Sequence, residues 1–365
     1  MNKIKLLKFI DRIMGKFFIF LLPGTKINHK DASKKINRIL IIRPGGIGDA
    51  VLLLPAINAL KRELPDLKID ILSEKRNTGI FGLSENIERI YLYDKGFDFI
   101  RSLRNRYDVV IDTEQWHRLS AVAAYLNRAP VRIGFDTNER RRLFTHKIPY
   151  SHDDYEVFSF FHLIEPLIHK IPEFDSEEPF LEIPPESTFS LFTVPAEEKE
   201  RIISIFPGAS VDERRWGGDR FGKAARILND KGYKIVLLGS SAEKADAAAI
   251  KQNTYGCIDL TGRTDLRDTA LILKMSRLLL TADSGLMHIA YAVGTPTVSL
   301  FGAGMEKKWA PRGKHNIVLN KYLSCSPCTK FGYTPPCKRN VECLSSISVN
   351  EVVNAIENIP DKPRA

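Results

Sequence analysis

At 365 residues, 44% hydrophobic and 27% charged, the chain is long enough for two domains with separate cores and too apolar for global disorder. Its 23 glycines and 20 prolines are too few for a collagenous or low-complexity chain. No apolar run reaches the roughly 18–20 residues that a membrane-spanning helix needs. The net charge of +10 is concentrated at one end: ten basic and two acidic residues up to Arg38 leave only +2 for the other 327 residues. A nucleic-acid binder spreads basic surface over its folded domain, so nucleic acid is not the expected partner and the terminal segment has one of its own.

That segment, residues 1–36, is basic and amphipathic. On a helix, Lys5, Lys8, Asp11, Arg12, Gly15 and Lys16 fall within one arc of about 140°. Leu6, Phe9, Ile10, Ile13, Met14, Phe17, Phe20 and Leu21 fill the other side. Lysines beside a Phe- and Leu-rich face describe a helix lying in an anionic membrane surface; packing on the chain's own surface or on a second copy is the alternative. Phe17–Leu22 is short for a signal-peptide core and no cleavage site follows, which implies a cytoplasmic protein.

From residue 37, apolar runs alternate with helical periods. Strands are expected at Arg38–Arg43, Lys68–Leu72, Arg89–Leu92, Tyr107–Asp112 and Val131–Phe135, with a helix over Ala50–Leu64 that Pro55 should kink. Prolines 179, 184, 185 and 195 among acidic residues mark a linker between Glu173 and Glu198. The alternation then restarts, with strands at Arg201–Phe206, Lys234–Leu238, Cys257–Leu260, Arg277–Thr281 and Thr297–Phe301. A helix capped by Asp219 and others over Ala242–Gln252, Leu266–Ser276, Ser284–Val293 and Val349–Ile359 separate or follow them. This order implies an α/β chain of two doubly wound, Rossmann-like domains, 37–185 and 186–365, facing across a cleft. Ligands of such sheets bind beyond the carboxyl ends of strands, so the informative residues belong in the turns there.

Four turns qualify. Gly46-Ile47-Gly48-Asp49 lacks the third glycine of a dinucleotide fingerprint, and Asp49 places a carboxylate where helix amides would otherwise hold a phosphate. The turn therefore suits a neutral hydroxyl, or Asp49 merely caps the helix. In Thr281–His288, Ser284 and Gly285 present backbone N–H groups as an anion cradle, Asp283 is placed to cap the helix, and His288 lies one turn on, at a ligand or in the core. Pro207-Gly208-Ala209-Ser210, followed by Arg214, Arg215 and Trp216, offers a hydroxyl and cations to a diphosphate, with Asp212 and Glu213 offsetting the arginines. Gly239–Glu243 sets Glu243 just past a strand, where it suits ribose hydroxyls.

RILIIRPGGIGDAVLLLPAINAL, the PGAS…RRW loop, LLGSSAE and TADSGLMHIAYAVGTPTVSLFG, in this order, resemble glycosyltransferase family 9, the lipopolysaccharide heptosyltransferases, from about Arg38 to Asn358. The resemblance implies a GT-B fold and inverting transfer of heptose from ADP-heptose to a lipid-linked saccharide, the lipopolysaccharide inner core, with no cofactor required. It implies Asp49 as general base; Gly46 and Gly48 of the same turn are expected on the acceptor side. It places Arg215 at the donor phosphates, where Ser210 is expected from its own turn, and Glu243 at the adenosine, with Asp283, Ser284, Gly285 and His288 around pyrophosphate and sugar. Ser284 stands where the family often has Thr, and Arg215 where it often has Lys. Such an enzyme works at the cytoplasmic face of the membrane, where the N-terminal segment would anchor it beside its acceptor. Two other readings are a family member with another nucleotide sugar or acceptor, and a non-catalytic nucleotide-binding module, which has no use for Asp49. Trp116-His117-Arg118 and Arg140-Arg141-Arg142 are either acceptor contacts or solvated surface.

Four of the five cysteines, Cys325, Cys328, Cys337 and Cys343, read C-x2-C-x8-C-x5-C. Four soft ligands suit a structural metal, although the spacing is not that of a zinc ribbon; free thiols are the alternative. Cys257 lies in an expected strand as a small hydrophobe.

Overall fold

Ile39, Leu40, Ile41 and Ile42 are all buried, which places Arg38–Arg43 (β1) at the centre of a sheet covered on both faces. The computed structural model describes residues 11–25, 35–183 and 196–360. It divides into two units, Met1–Phe174 and Asp175–Ala365. In the first unit β1 is joined by β2 (Lys68–Ser73), β3 (Arg89–Leu92), β4 (Val109–Asp112), β5 (Val131–Phe135) and β6 (His146–Ile148). In the second follow β7 (Ile202–Phe206), β8 (Lys234–Leu237), β9 (Ile258–Asp259), β10 (Leu278–Ala282), β11 (Thr297–Phe301) and β12 (Asn316–Asn320).

The sheet orders are β3-β2-β1-β4-β5-β6 and β12-β11-β10-β7-β8-β9, with every pairing parallel. Read from its own first strand, each sheet has the same doubly wound order, as the GT-B class requires. In each the order reverses at one place, between β1 and β4 and between β7 and β10. The turns leaving those four strands are where a doubly wound sheet binds its ligands.

The division falls earlier than the composition-based boundary at 185/186. Phe180 and Leu181 donate their amides to the Ala292 carbonyl, so this proline-rich stretch is held by the second unit. The helix Ile47–Glu63 runs on through Pro55. Edge strands β6 and β12 were not expected, because neither has the wholly buried run that marks a central strand. Asp219 is not a cap: the helix Gly218–Asp230 starts a residue earlier, behind Gly217 at φ +101°, with no side-chain cap bond.

The first unit also buries charge. Asp112, closing β4, pairs with Arg140, and both side chains are fully buried. Arg140 also donates to the Glu114 carbonyl and lies over the Phe144 ring. It is therefore a core cation and not, as its basic neighbours suggested, part of a surface cluster; burial pushes the Asp112 carboxyl up despite this partner. In the second unit Trp216 takes the equivalent anchoring place, with Nε1 donating to the Ile347 carbonyl at 3.0 Å and its ring edge-on to Phe221.

Of the N-terminal segment, Asp11–Gly15 is a π-helical turn leading into the helix Lys16–Leu21. Asp11 and Gly15, expected on the water-facing arc, are the side that docks. The Asp11 carboxylate accepts the Arg118 and Leu119 amides at 2.8 Å each, capping the helix Leu119–Leu126, and Gly15 lies against the Arg118 side chain. Ile19 completes the stripe in the core with Leu40 and Phe144. Thr25 closes the segment on the Arg142 and Leu143 carbonyls. Among the described residues, no helix is long and apolar enough to cross a membrane.

Asp112→Ala should lower unfolding free energy by about 3–5 kcal/mol, since it leaves the Arg140 guanidinium buried and unpaired. Chemical denaturation of Asp112→Leu/Arg140→Met should recover most of that loss, because an apolar pair has no charge to desolvate.

Candidate active site

In the first unit the site grows from the end of β1. Arg43 closes an otherwise apolar strand and is only 2% exposed. Its Nη1 donates to the Thr113 carbonyl at 2.9 Å, and its Nη2 to Asp49 Oδ2 at 3.1 Å, with Glu114 Oε2 3.6 Å away. Burial works against this charge, but Asp49, Glu114, Glu156 and Asp112 together outweigh it and hold the guanidinium pKa above its ordinary value. Glu114 answers it: burial opposes its charge, yet His117, Arg43 and Arg140 bring its carboxyl below the usual range. Gln115 and Tyr150 both donate to Glu156, completing a polar floor.

Asp49 stands in the first turn of the helix Ile47–Glu63, with its side chain 26% exposed. It makes no capping bond; the N-cap is Gly46, and Gly48 follows within the turn, both half-buried. Gly45 is at φ +124°, and a Cβ there would come 3.1 Å from Arg43 Nη2, so glycine is needed for the turn to pass the guanidinium. The sequence singled out Asp49 but not Arg43. The available signal was a cation ending a run of buried β-branched and leucine side chains, where burial demands an anion.

In the second unit β10 leads into the helix Gly285–Ala292. Its N-cap is Ser284, accepting the Met287 amide at 3.4 Å, and not Asp283. Asp283, Ser284 and His288 are all buried. Asp283 instead pairs with Arg214, Nη1 to Oδ2 at 3.0 Å, and Gly304 lies so close that a Cβ would stand 1.9 Å from that oxygen. Arg215 points elsewhere: to Asp246 at 2.8 Å, Asp212 at 3.4 Å and Glu243 at 3.7 Å, while also donating to the Ala209 carbonyl. Neighbouring arginines thus serve two different turns, and the one meeting β10 is Arg214.

Glu243 is buried and uses Oε2 in a capping box with Ser240, at 2.9 Å to its amide and 2.7 Å to its hydroxyl. Gly208 presses on its other side, where a Cβ would stand 2.6 Å from Glu243 Cγ. Turn Pro207–Ser210 and turn Gly239–Glu243 are therefore one surface, with Ser210 exposed on it. Among the described residues, no three His, Cys, Asp or Glu side chains are grouped to hold a metal ion.

A phosphorylated ligand suits the second unit, where arginines and a helix N-terminus adjoin small residues. A hydroxyl suits the first, where a carboxylate stands partly open beside a buried cation. Residues 97–339 match glycosyltransferase family 9 (heptosyltransferase). The chain is 30% identical over 347 residues to lipopolysaccharide heptosyltransferase 3 of Escherichia coli (strain K12), covering 87% of this chain and 97% of that one. Its fold matches the glycosyl transferase family 9 structure from Veillonella parvula DSM 2008 with a TM-score of 0.71 at 21% identity, over 93% of this chain and 99% of that chain. It matches E. coli heptosyltransferase WaaC with ADP-2-deoxy-2-fluoro heptose with a TM-score of 0.67 at 19% identity, over 88% and 99% of the two chains. The chain belongs to glycosyltransferase family 9, the heptosyltransferases.

Proposed function

We propose that this enzyme transfers heptose from ADP-heptose to a sugar hydroxyl of a lipopolysaccharide inner core, inverting the anomeric centre. The observation carrying this reading is the Arg43–Asp49 pair beside Glu114. One Asp49 oxygen is engaged by the guanidinium, leaving Oδ1 for the acceptor hydroxyl. The hydroxyl oxygen attacks the anomeric carbon, its proton passes to Asp49, and the bond from that carbon to the ADP oxygen breaks with its electron pair on the diphosphate. Gly46 and Gly48 leave the approach to Asp49 free of side chains.

The second unit binds ADP. Ser284 and Gly285 offer helix N-terminal amides to the diphosphate, His288 supports them from one turn on, and Arg214 stabilises the leaving charge. Arg214 suits this task better than Arg215, whose charge is already divided among three carboxylates. Arg215 instead joins the Ser210 turn to Glu243, whose carboxylate suits ribose hydroxyls.

Asp49→Asn should keep ADP-heptose affinity within a few-fold and lose turnover by roughly 100-fold or more, as removal of a general base does; near-normal turnover would reduce Asp49 to a structural residue. Calorimetry with ADP, UDP, GDP and CMP should favour ADP, and Arg214→Ala should weaken ADP more than Arg215→Ala. Preference for another nucleotide would reassign the donor.

We further propose that the enzyme works on the cytoplasmic face of the membrane, held by its N-terminal helix on anionic lipid. Supporting this, Phe17, Phe20 and Leu21 are 55%, 78% and 60% exposed on the side away from Asp11 and Ile19. Sedimentation with anionic vesicles should retain the full chain and release Phe17→Ser/Phe20→Ser/Leu21→Ser, which keeps activity on a soluble acceptor. Equal retention of both would place attachment elsewhere.

A further inference from the structure

The loop between β4 and the helix Leu119–Leu126 meets Arg43 from the side opposite Asp49's own helix. Its first residues are tied to that arginine. The Thr113 carbonyl accepts Arg43 Nη1, and Glu114 Oε2 stands 3.6 Å from Arg43 Nη2, the nitrogen that donates to Asp49. Glu114 Oε1 meanwhile accepts the Gln115 amide at 3.0 Å and the Trp116 amide at 3.3 Å. The carboxylate beside Arg43 is thus bonded to the loop's own backbone. The path of the chain through 114–116 therefore sets where Arg43, and with it Asp49, is held.

That path is secured differently along its length. At the start, Thr113 donates its amide and its hydroxyl to the Ile42 carbonyl, which makes this end an extension of the sheet. In the middle, Thr137 donates to the Gln115 carbonyl and Asn138 to the Trp116 carbonyl, at 2.7 Å each. At the end, the next helix starts behind Arg118, whose side chain makes no cap bond. The first amides of a helix have no partner within it, and an uncapped start frays.

The N-terminal segment supplies what this end lacks. Asp11 is buried, and its Oδ1 accepts the Arg118 and Leu119 amides while Oδ2 lies 3.4 Å from His117 Nδ1. Gly15 lets the segment lie against Arg118 Cβ, and Lys16 approaches Glu139, which the Arg118 guanidinium holds at 2.7 Å. Burial of Ile19 alone would seat an amphipathic helix on the protein. A buried carboxylate must also find donors, and the donors it finds belong to this loop and the helix it enters.

We propose that Asp11 is a positioning residue of the transfer reaction: by capping the helix Leu119–Leu126 it fixes the loop 113–118 and, through Glu114 and Arg43, the orientation of Asp49. The segment then has two separable tasks, attachment by its apolar face and ordering of the active-site loop by its Asp11 row. Asp11 touches no substrate and takes no proton. Its loss releases the chain at 116–118, and a base that must meet a hydroxyl at hydrogen-bond distance loses rate steeply when displaced. The proposal rests on the reading of Asp49 as general base.

Kinetics of the full chain on a soluble inner-core saccharide, without lipid, remove attachment from the measurement. Asp11→Ala should lower kcat about ten-fold and leave the KM for ADP-heptose unchanged. Asp11→Asn keeps a carbonyl oxygen for the two amides and should recover kcat to within about two-fold of the natural chain. In Asp11→Ala, hydrogen exchange should quicken in peptides covering 113–119 while β1 keeps its protection, which shows the unit still folded. Should Asp11→Ala not fold, Gly15→Ala tests the same step with Asp11 intact, since its Cβ would stand 2.7 Å from Arg118 Cβ and lift the segment. Faster exchange over 113–119 with an unchanged kcat overturns the proposal, and so does an Asp11→Asn as slow as Asp11→Ala. Asp49→Asn, run alongside, keeps the two readings apart. Near-normal turnover there overturns the general base, whereas a normal kcat in Asp11→Ala beside a slow Asp49→Asn overturns the positioning role alone.

Discussion

A guanidinium that is 2% exposed must be surrounded by acceptors and anions, and the first unit is organised around meeting that demand for Arg43. One nitrogen takes the Thr113 carbonyl beyond β4, and another reaches Asp49 on the helix after β1 and approaches Glu114. The two strands flanking the reversal of sheet order are thereby tied through one side chain. Glu114 and the Thr113 carbonyl keep this buried charge met even where Asp49 is replaced. The carboxylate proposed as general base is also part of what keeps the turn folded, and its orientation is set by Arg43. Preorganisation of this kind is what lets a weak base act within hydrogen-bond reach.

The second unit repeats the strand order, and at its own reversal point it again places an arginine against an aspartate. The means differ. Arg43 belongs to the strand, whereas Arg214 comes from the loop after β7 and reaches Asp283 after β10. A loop arginine needs support from outside the sheet, and it receives it from Thr329. The close approach of Gly304 to Asp283 and of Gly302 to Cys343 explains why this turn is made of small residues: side chains there would strike Cys343 and the carboxylate that holds Arg214.

Central strands were legible because burial on both faces leaves an unbroken apolar run, as in β1, β4, β7, β10 and β11. Edge strands β6 and β12 carry no such signature, since half-buried residues on one side of a sheet resemble loop. Helix starts were less legible than helices: Ser284 and Gly217 govern where Asp283 and Asp219 were expected, because a nearby carboxylate caps only if it is not claimed by a cation or left outside the first turn. Asp283 is claimed by Arg214. Within the site, glycine-rich turns and their acids could be read directly, whereas Arg43, Glu114 and Glu156 could not. Their roles depend on which strands lie side by side, a property of topology and not of local sequence. The choice between Arg214 and Arg215 is of the same kind, decided by which way each leaves the loop.

The N-terminal helix carries this distinction furthest. A helical wheel separates polar from apolar side chains, and so it set Asp11 and Gly15 toward water. Docking selects on different grounds. Asp11 is matched to two amides at the start of the helix Leu119–Leu126, which have no partner within that helix. Gly15 removes the side chain that would strike Arg118, and Ile19 supplies apolar burial. One carboxylate, one gap and one isoleucine, spaced four residues apart, make a complete contact stripe of a single helical row. Because that row lies along the polar arc, docking uses almost none of the aromatic face. Phe17, Phe20 and Leu21 are left outside by the same geometry that holds the helix in place, and an amphipathic helix can therefore be fixed to its own protein while its apolar side stays exposed.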